Sequence, residues 1–459
     1  MSDPRTQCVV FPGLLNRPVV ARFDEPSTSV DGGALLLAGL DRELGLTARL
    51  AGAVRDGRQP GKVAHGLVDL VRQRVYGLGL GYADCNDARV LREDPVHKLL
   101  LERDPVAGLG LADPSTLCRF ENAVGRADLV RMSAELMDVV IERNRQRLGA
   151  RRVRRVTIDL DPTDDRTHGQ QQLALFNGHY DSWCYLPLLA FVTFGEEPEQ
   201  QLVAAILRGG RAHASLGALP LLRRLLPRLR AAFPRARLRI RLDGGFAGPE
   251  LLDFLEEEGL DYVMAIGGNS VLKRRIERLM KRARRASKRS GATETLFGET
   301  RYAACSWRRR ARRVVMKAEV ARLDDRSPRD NPRFVVTNLR HTPENVYQIY
   351  RERGDAENRI KELKNDLELD RTSCSRFFAN QLRVLLTAAA YVLFQQLRLR
   401  LPRRDDNDRP TVATLRMRLL KIATRVEHSV RRVVVHFAAS HAWATTWLRL
   451  ARGCGASPS

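Results

Sequence analysis

Beyond residue 152 the chain turns from helical spacing to strand spacing, and the order of the strands that follow narrows the fold more than any other feature. Val153 to Asp161 alternates, with Val156, Ile158 and Leu160 on one face and Thr157, Asp159 and Asp161 on the other. Cys184 to Phe194 is an apolar run that reads as one fully buried strand, and Gln201 to Leu207 reads as a third. A leucine–arginine amphipathic helix over 217–232 leads into the strand Leu238 to Asp243, a helix over 249–258 and a strand over Tyr262 to Ile266. Antiparallel-looking strands followed by strand–helix–strand units predict an α/β fold, a mixed sheet with flanking helices.

The rest of the chain is organised around that stretch. Residues 1–150 read as a helical amino-terminal region, with apolar spacing in 33–43, 61–77 and 128–146. Asp113-Pro114 opens a further helix that carries Arg119 and could lie on DNA or simply pack. The Gly-Leu-Gly-Leu-Gly run at 77–81 follows helical rather than strand spacing, so it is expected to be a loop and not a dinucleotide fingerprint. The sheet region divides into 151–268 and 342–401, separated by 269–341: a strongly basic helical segment (271–289), then β-rich pieces over 293–307, 312–322 and 333–339. Residues 402–459 form a carboxy-terminal region with a linker, a basic helix over 411–425 and a strand over Val430 to Phe437.

Composition narrows the function. Lys and Arg number 78 against 54 Asp and Glu, so 78 − 54 gives +24, and arginine dominates. Such an excess points to a polyanion, most often nucleic acid, whose phosphates the guanidinium fork fits. With 44% hydrophobic residues the chain can also bury a core. The start of the chain lacks the order of a signal peptide, and the longest apolar stretch, Val384 to Leu397, is too short for a bilayer and contains Gln395 and Gln396. Seven scattered cysteines without a C-x-x-C pair, and no H-E-x-x-H, argue for a reducing cytoplasm and against a cysteine-built zinc site.

Three acidic positions stand out as candidate oxygen ligands. Asp161 ends the first strand with Asp159 on the same face, and Asp243 ends another, followed by Gly244 and Gly245, which keep bulk away from it. The third is Glu357: Tyr350, Arg353, Glu357 and Lys364 lie at offsets 0, 3, 7 and 14, one face of a helix. Val346, Ile349, Ile360 and Leu363 are left to anchor it. A carboxylate flanked by a phenol, a guanidinium and an ammonium suits a metal-bound phosphate. An exposed Arg353–Glu357 pair of the ordinary kind would be worth only about 0.3–0.5 kcal/mol.

Tyr350-x2-Arg353-x3-Glu357-x6-Lys364 resembles the Y-x2-R-x3-E-x6-K signature of DDE transposases encoded by bacterial insertion sequences. Asp-Leu-Asp161-Pro-Thr-Asp-Asp, Arg-Leu-Asp243-Gly-Gly-Phe and Arg353-Gly-Asp-Ala-Glu357-Asn-Arg-Ile-Lys-Glu-Leu-Lys364 look like one branch of that group. The resemblance implies a ribonuclease H-like domain in which Asp161, Asp243 and Glu357 are catalytic and bind two Mg²⁺ ions, with Mn²⁺ as a substitute; Asp159 is the alternative to Asp161. It implies a β-rich insertion before the glutamate, for which the 357 − 243 = 114 intervening residues leave room. It also implies DNA contacts from Tyr350, Arg353 and Lys364. Trp307 could stack on a flipped base, or be an ordinary core or surface residue. The partners expected are the element's terminal inverted repeats and target DNA, with no membrane, and relatives often act as homodimers. The implied activity is cut-and-paste transposition. A DNA-binding relative that no longer catalyses and a nuclease without strand transfer are the alternatives, and an intact carboxylate set favours the first reading.

Overall fold

The computed structural model describes residues 8–12, 16–307, 310–322, 326–402 and 409–457. Its centre is a nine-stranded mixed sheet. Eight of its strands form a continuous path: β1 (Arg155–Pro162), β2 (Leu188–Phe194), β3 (Gln201–Ile206), β4 (Arg237–Leu242), β5 (Asp261–Ile266), β6 (Glu294–Tyr302), β7 (Arg312–Ala321) and β8 (Arg333–Thr337). The spatial order is β6-β7-β8-β5-β4-β1-β2-β3, and Arg329–Asp330 pairs beside β7. β4 runs parallel to both β1 and β5, and every other pairing is antiparallel. Strands buried on both faces need apolar residues throughout, and the interiors of β2 and β3 supply them.

The helices around it include α1 (Leu67–Leu80), α2 (Pro114–Ala123), α3 (Arg126–Leu148), α4 (Ala218–Ala232), α5 (Pro249–Glu257), α6 (Ser270–Ser290), α7 (Pro343–Arg351), α8 (Gly354–Asn365) and α9 (Phe377–Leu399). α9 is longer than the apolar run in the sequence suggests: its 23 residues could cross a membrane by length and composition, yet 89% of its most apolar window is buried inside the protein. Its glutamines explain why. Gln395 accepts from the amide of Leu202 at 3.0 Å and donates to the carbonyl of Gln200 at 2.5 Å. Gln381 accepts from Leu207 at 2.6 Å and donates to Ala205 at 3.1 Å. The open edge of β3 is thereby closed by side chains of a core helix.

Three local expectations are corrected. Residues 77–80 are not a loop: α1 continues through them and ends at Gly81, with φ 89°. Gly79 is a contact point, since a Cβ there would meet Leu37 at 3.3 Å and Phe394 at 3.5 Å. The run Cys184 to Phe194 is two strands, because Pro187 has no N–H to give a ladder; Ser182–Tyr185 joins a small separate sheet and only Leu188–Phe194 enters the central one. The β-rich pieces of 269–341 extend the central sheet as β6–β8, because β8 pairs with β5. The helix expected over 411–425 is short (Val412–Leu415, then a π turn over Arg416–Leu420), and Thr424–His428 is a strand that pairs with both Val433–Phe437 and Thr28–Ser29. Of the linker, residues 403–408 lie outside the described residues.

Candidate active site

β1 and β4 are parallel neighbours, so their carboxyl ends open at the same edge of the sheet. Asp161 stands at the end of β1 and Asp243 immediately follows β4. Deeper in the same register Arg241 lies beside Asp159, and the two form a buried fork at 2.8 and 2.7 Å. Gln200 donates a further bond to Asp159 at 3.1 Å, and Arg241 also reaches Glu352 at 3.0 Å. Asp159 is fully buried and its oxygens are taken by Arg241 and Gln200. Asp161, two residues further on, is the aspartate of that face at the strand's open end.

Asp243 caps a short turn by accepting from the amide of Gly245 at 2.9 Å. Of the two glycines that follow it, Gly245 is the constrained one: a Cβ would lie 2.7 Å from Ala214 and 3.2 Å from the Asp243 carboxylate. At Gly244 a Cβ would make only ordinary contact, 3.8 Å from the nearest atom.

The four-residue pattern does not lie on one helix, as its spacing suggested. α7 stops at Arg351, Glu352 and Arg353 form a turn, and α8 restarts at Gly354. The bend turns Arg353 inward. Its guanidinium donates to Asp161 at 2.7 Å and to Glu357 at 3.0 Å, bridging the two carboxylates. Tyr350 is half-buried, its ring centroid 6.0 Å from the Arg353 guanidinium carbon, and it lines a cavity of about 350 Å³ with Tyr347, Phe334, Gly267 and Gly268. Lys364 turns away from Glu357 and from the acids that follow it, Asp366 and Glu368. Its ammonium donates to the carboxylate and carbonyl of Asp164 at 2.8 and 3.0 Å, with Asp370 further off at 3.5 Å.

Burial dominates the electrostatics of the edge. It pushes the Asp161 carboxyl up to about 7; Arg353 pulls the other way, and the nearby charges of Asp243 and Glu357 push further up. Burial also works against the Arg353 charge, but Asp161, Tyr350, Glu357 and Asp243 together hold its pKa above the ordinary value. Asp165, which accepts from the Thr372 hydroxyl at 3.0 Å, is pushed up by burial to about 8. Among the described residues, no group of three or more His, Cys, Asp or Glu side chains is arranged to hold a metal ion. The donor chemistry of Asp161, Asp243 and Glu357 nevertheless suits a hard divalent cation. A positive group, the Arg353 guanidinium, already lies between two of them, and the Glu357 side chain is 55% exposed, unobstructed by the core.

Trp307 does not join this site. It is 8% exposed, packs edge-on to Tyr302 and lies under the Arg312 guanidinium, so its ring is a core element in this conformation, not a free stacking surface. Arg308 and Arg309 beside it lie outside the described residues. Sequence reasoning missed Asp164 as the partner of Lys364 and Arg241 as the partner of Asp159. Asp164 was visible in the Asp-Pro-Thr-Asp-Asp run, whereas Arg241 becomes meaningful only through the parallel register.

No curated protein matches the chain. Among solved structures, it is similar to a chain described as "Cryo-EM structure of piggyBac transposase synaptic complex with hairpin DNA (SNHP)", at 14% identity and a TM-score of 0.39, over 79% of this chain and 74% of that one. Residues 11–453 match the family model described as Transposase DDE domain group 1. That match spans nearly the whole sequence, including all three edge carboxylates, and the chain belongs to this DDE transposase family.

Proposed function

We propose that the chain is the transposase of a bacterial insertion sequence, of the subgroup marked by Tyr350, Arg353, Glu357 and Lys364, which cuts DNA at the element's terminal inverted repeats and joins the freed ends to target DNA. The observation that carries this reading is the bridge from Arg353 to Asp161 and Glu357, at the sheet edge where Asp243 also stands. In this reading the central sheet is ribonuclease H-like, residues 1–150 engage the element ends, 151–268 and 342–401 form the catalytic unit with 269–341 inserted, and the protein acts on DNA in the cytoplasm as a homodimer.

Asp161, Asp243 and Glu357 would hold the divalent ions, two Mg²⁺ with Mn²⁺ as substitute. When bound, such ions activate a water or 3′-hydroxyl and stabilise the leaving oxygen at phosphorus. Arg353 keeps the clustered carboxylates neutralised and is placed to take a phosphate oxygen when they are otherwise occupied. Tyr350 offers a hydroxyl donor, and Lys364, oriented by Asp164, an ammonium for the flanking phosphate. Asp159 is the alternative ligand, but its bonds to Arg241 and Gln200 favour Asp161 for the role.

The test is nicking of end-containing DNA in Mg²⁺ by Asp161→Ala, Asp243→Ala and Glu357→Ala. Each should lose cleavage and keep DNA binding, because each removes an anion and no phosphate-binding cation. Wild-type cleavage by Glu357→Ala would refute the assignment, and wild-type cleavage by Asp161→Ala alone would move the first ligand to Asp159.

A further inference from the structure

The two basic segments of 269–341 have opposite fates. Around 310–313 the arginines are spent internally: Arg310 and Arg312 pair with Glu256, Arg312 also with Asp253, and Arg313 with Glu299. α6 is different. Leu272, Ile276, Met280 and Ala283 are buried, and the helix packs by them against β6 and β7. At about 100° per residue, Arg274, Arg278, Lys281, Arg285 and Lys288 fall in a stripe about 80° wide, directly opposite that buried face. All five are exposed, and none of them forms an ion pair among the described residues. The helix's one acid, Glu277, is taken by Arg284, which also binds Asp330.

Such a stripe is unfavourable in isolation. Like charges four residues apart on a helix repel by roughly 0.2–0.5 kcal/mol per pair, and nothing among the described residues relieves Arg274 against Arg278 or Lys281 against Arg285. Its position adds a second indication. α6 begins just after β5, and β5 is parallel to β4, so the stripe starts near the sheet edge that carries Asp161 and Asp243. From Arg274 to Lys288 it runs 14 residues, about 21 Å at 1.5 Å per residue. That length matches about six phosphates of one strand of duplex DNA at 3.4 Å each.

We propose that the outward stripe of α6 is a docking rail for the backbone of duplex DNA, independent of sequence, which guides the duplex to the carboxylate edge. The proposal rests on the reading that DNA is the substrate. The rail neutralises phosphates and reads no bases, so its signature is electrostatic.

The experiment compares full-length wild type with R274Q/R278Q/K281Q/R285Q/K288Q on a duplex of arbitrary sequence, over a range of salt. Gln keeps helix propensity, and the buried face is untouched. Each phosphate contact adds about 0.9 to the slope of log affinity against log salt, so loss of the five-residue rail should reduce that slope by about 4.5. A control, R151Q/R152Q/R154Q/R224Q/R235Q, removes the same charge from exposed arginines, four of which precede β1 and β4 at the opposite end of the sheet from the carboxylates. It should leave the slope nearly unchanged. If the five-residue variant fails to fold by circular dichroism, R274Q/R278Q/K281Q is used, with an expected reduction of about 3. An unchanged slope in a folded variant overturns the proposal, as does an equal loss in the control. Loss of binding to anionic vesicles with an unchanged DNA slope overturns it in favour of a membrane surface. A wild type that binds no duplex refutes the substrate reading itself, and the rail with it.

Discussion

Replacing Asp161 by Asn should make the protein more stable at neutral pH while abolishing cleavage. An ordinary aspartate titrates at 3.8 and Asp161 at about 7, so roughly 3 units at about 1.36 kcal/mol each penalise its ionised form in the folded state by about 4 kcal/mol. The folded carboxyl holds its proton more tightly than the unfolded one. Its contribution is therefore fully present below about pH 3.8 and is lost as pH rises through about 7. Asn mimics the protonated form at every pH. Between pH 5 and pH 8 the stability gap between Asp161→Asn and wild type should thus widen by about 2–3 kcal/mol in favour of the variant. Denaturant unfolding at pH 5, 6, 7 and 8 measures it. Adding Mg²⁺ should stabilise wild type at pH 8 by mass action and leave the variant largely unaffected. A gap that stays flat across this range would show that Asp161 is already ionised at pH 5, and the electrostatic account of the edge would fail.

Three further outcomes are expected. Gly245→Ala should lower cleavage about ten- to hundredfold while DNA binding persists, because the new Cβ presses on Ala214 and the Asp243 carboxylate and shifts a reacting group; single-turnover cleavage reads it, and an unchanged rate refutes it. Lys364→Ala should slow cleavage and joining, and added Mn²⁺ should not restore them; a rate equal to wild type would leave Lys364 as no more than the partner of Asp164. Arg398→Leu should destabilise by about 3–5 kcal/mol, since Arg398 joins buried Glu199 and Glu362 at 2.8 and 2.7 Å; a loss under about 1 kcal/mol in denaturant unfolding would contradict that role.

The parts of this molecule that local chemistry controls were readable in the sequence. β1 announces itself through a period of two, and α6 through a period near 3.6 with its buried apolar residues on one side. Pairing across long separations was not readable: no residue in Arg333–Thr337 signals that its partner is Val263 to Ile266. The break between α7 and α8 was hidden for another reason, because the apolar residues Val346, Ile360 and Leu363 stay buried on both sides of it. The spacing therefore singled out residues that do come together in part, but through a geometry it could not show. Arg353 and Glu357 meet across a turn of the chain and Asp161 joins them from the sheet, whereas Lys364 is drawn to Asp164.

The sheet's strand order also governs when the edge can exist during synthesis. Asp161 and Asp243 are joined by neighbouring strands early, but Glu357 follows 357 − 243 = 114 residues later, after β6, β7 and β8 have been added beyond β5. Its helix is then tethered through Glu362 to Arg398, near the end of α9. The chain must therefore emerge through Arg398 before that tether forms, whereas Arg353 and Lys364 can draw the helix to Asp161 and Asp164 earlier. Premature termination between α6 and α9 leaves a chain that keeps the basic stripe of α6 but has an acid set that is incomplete or lacks that tether.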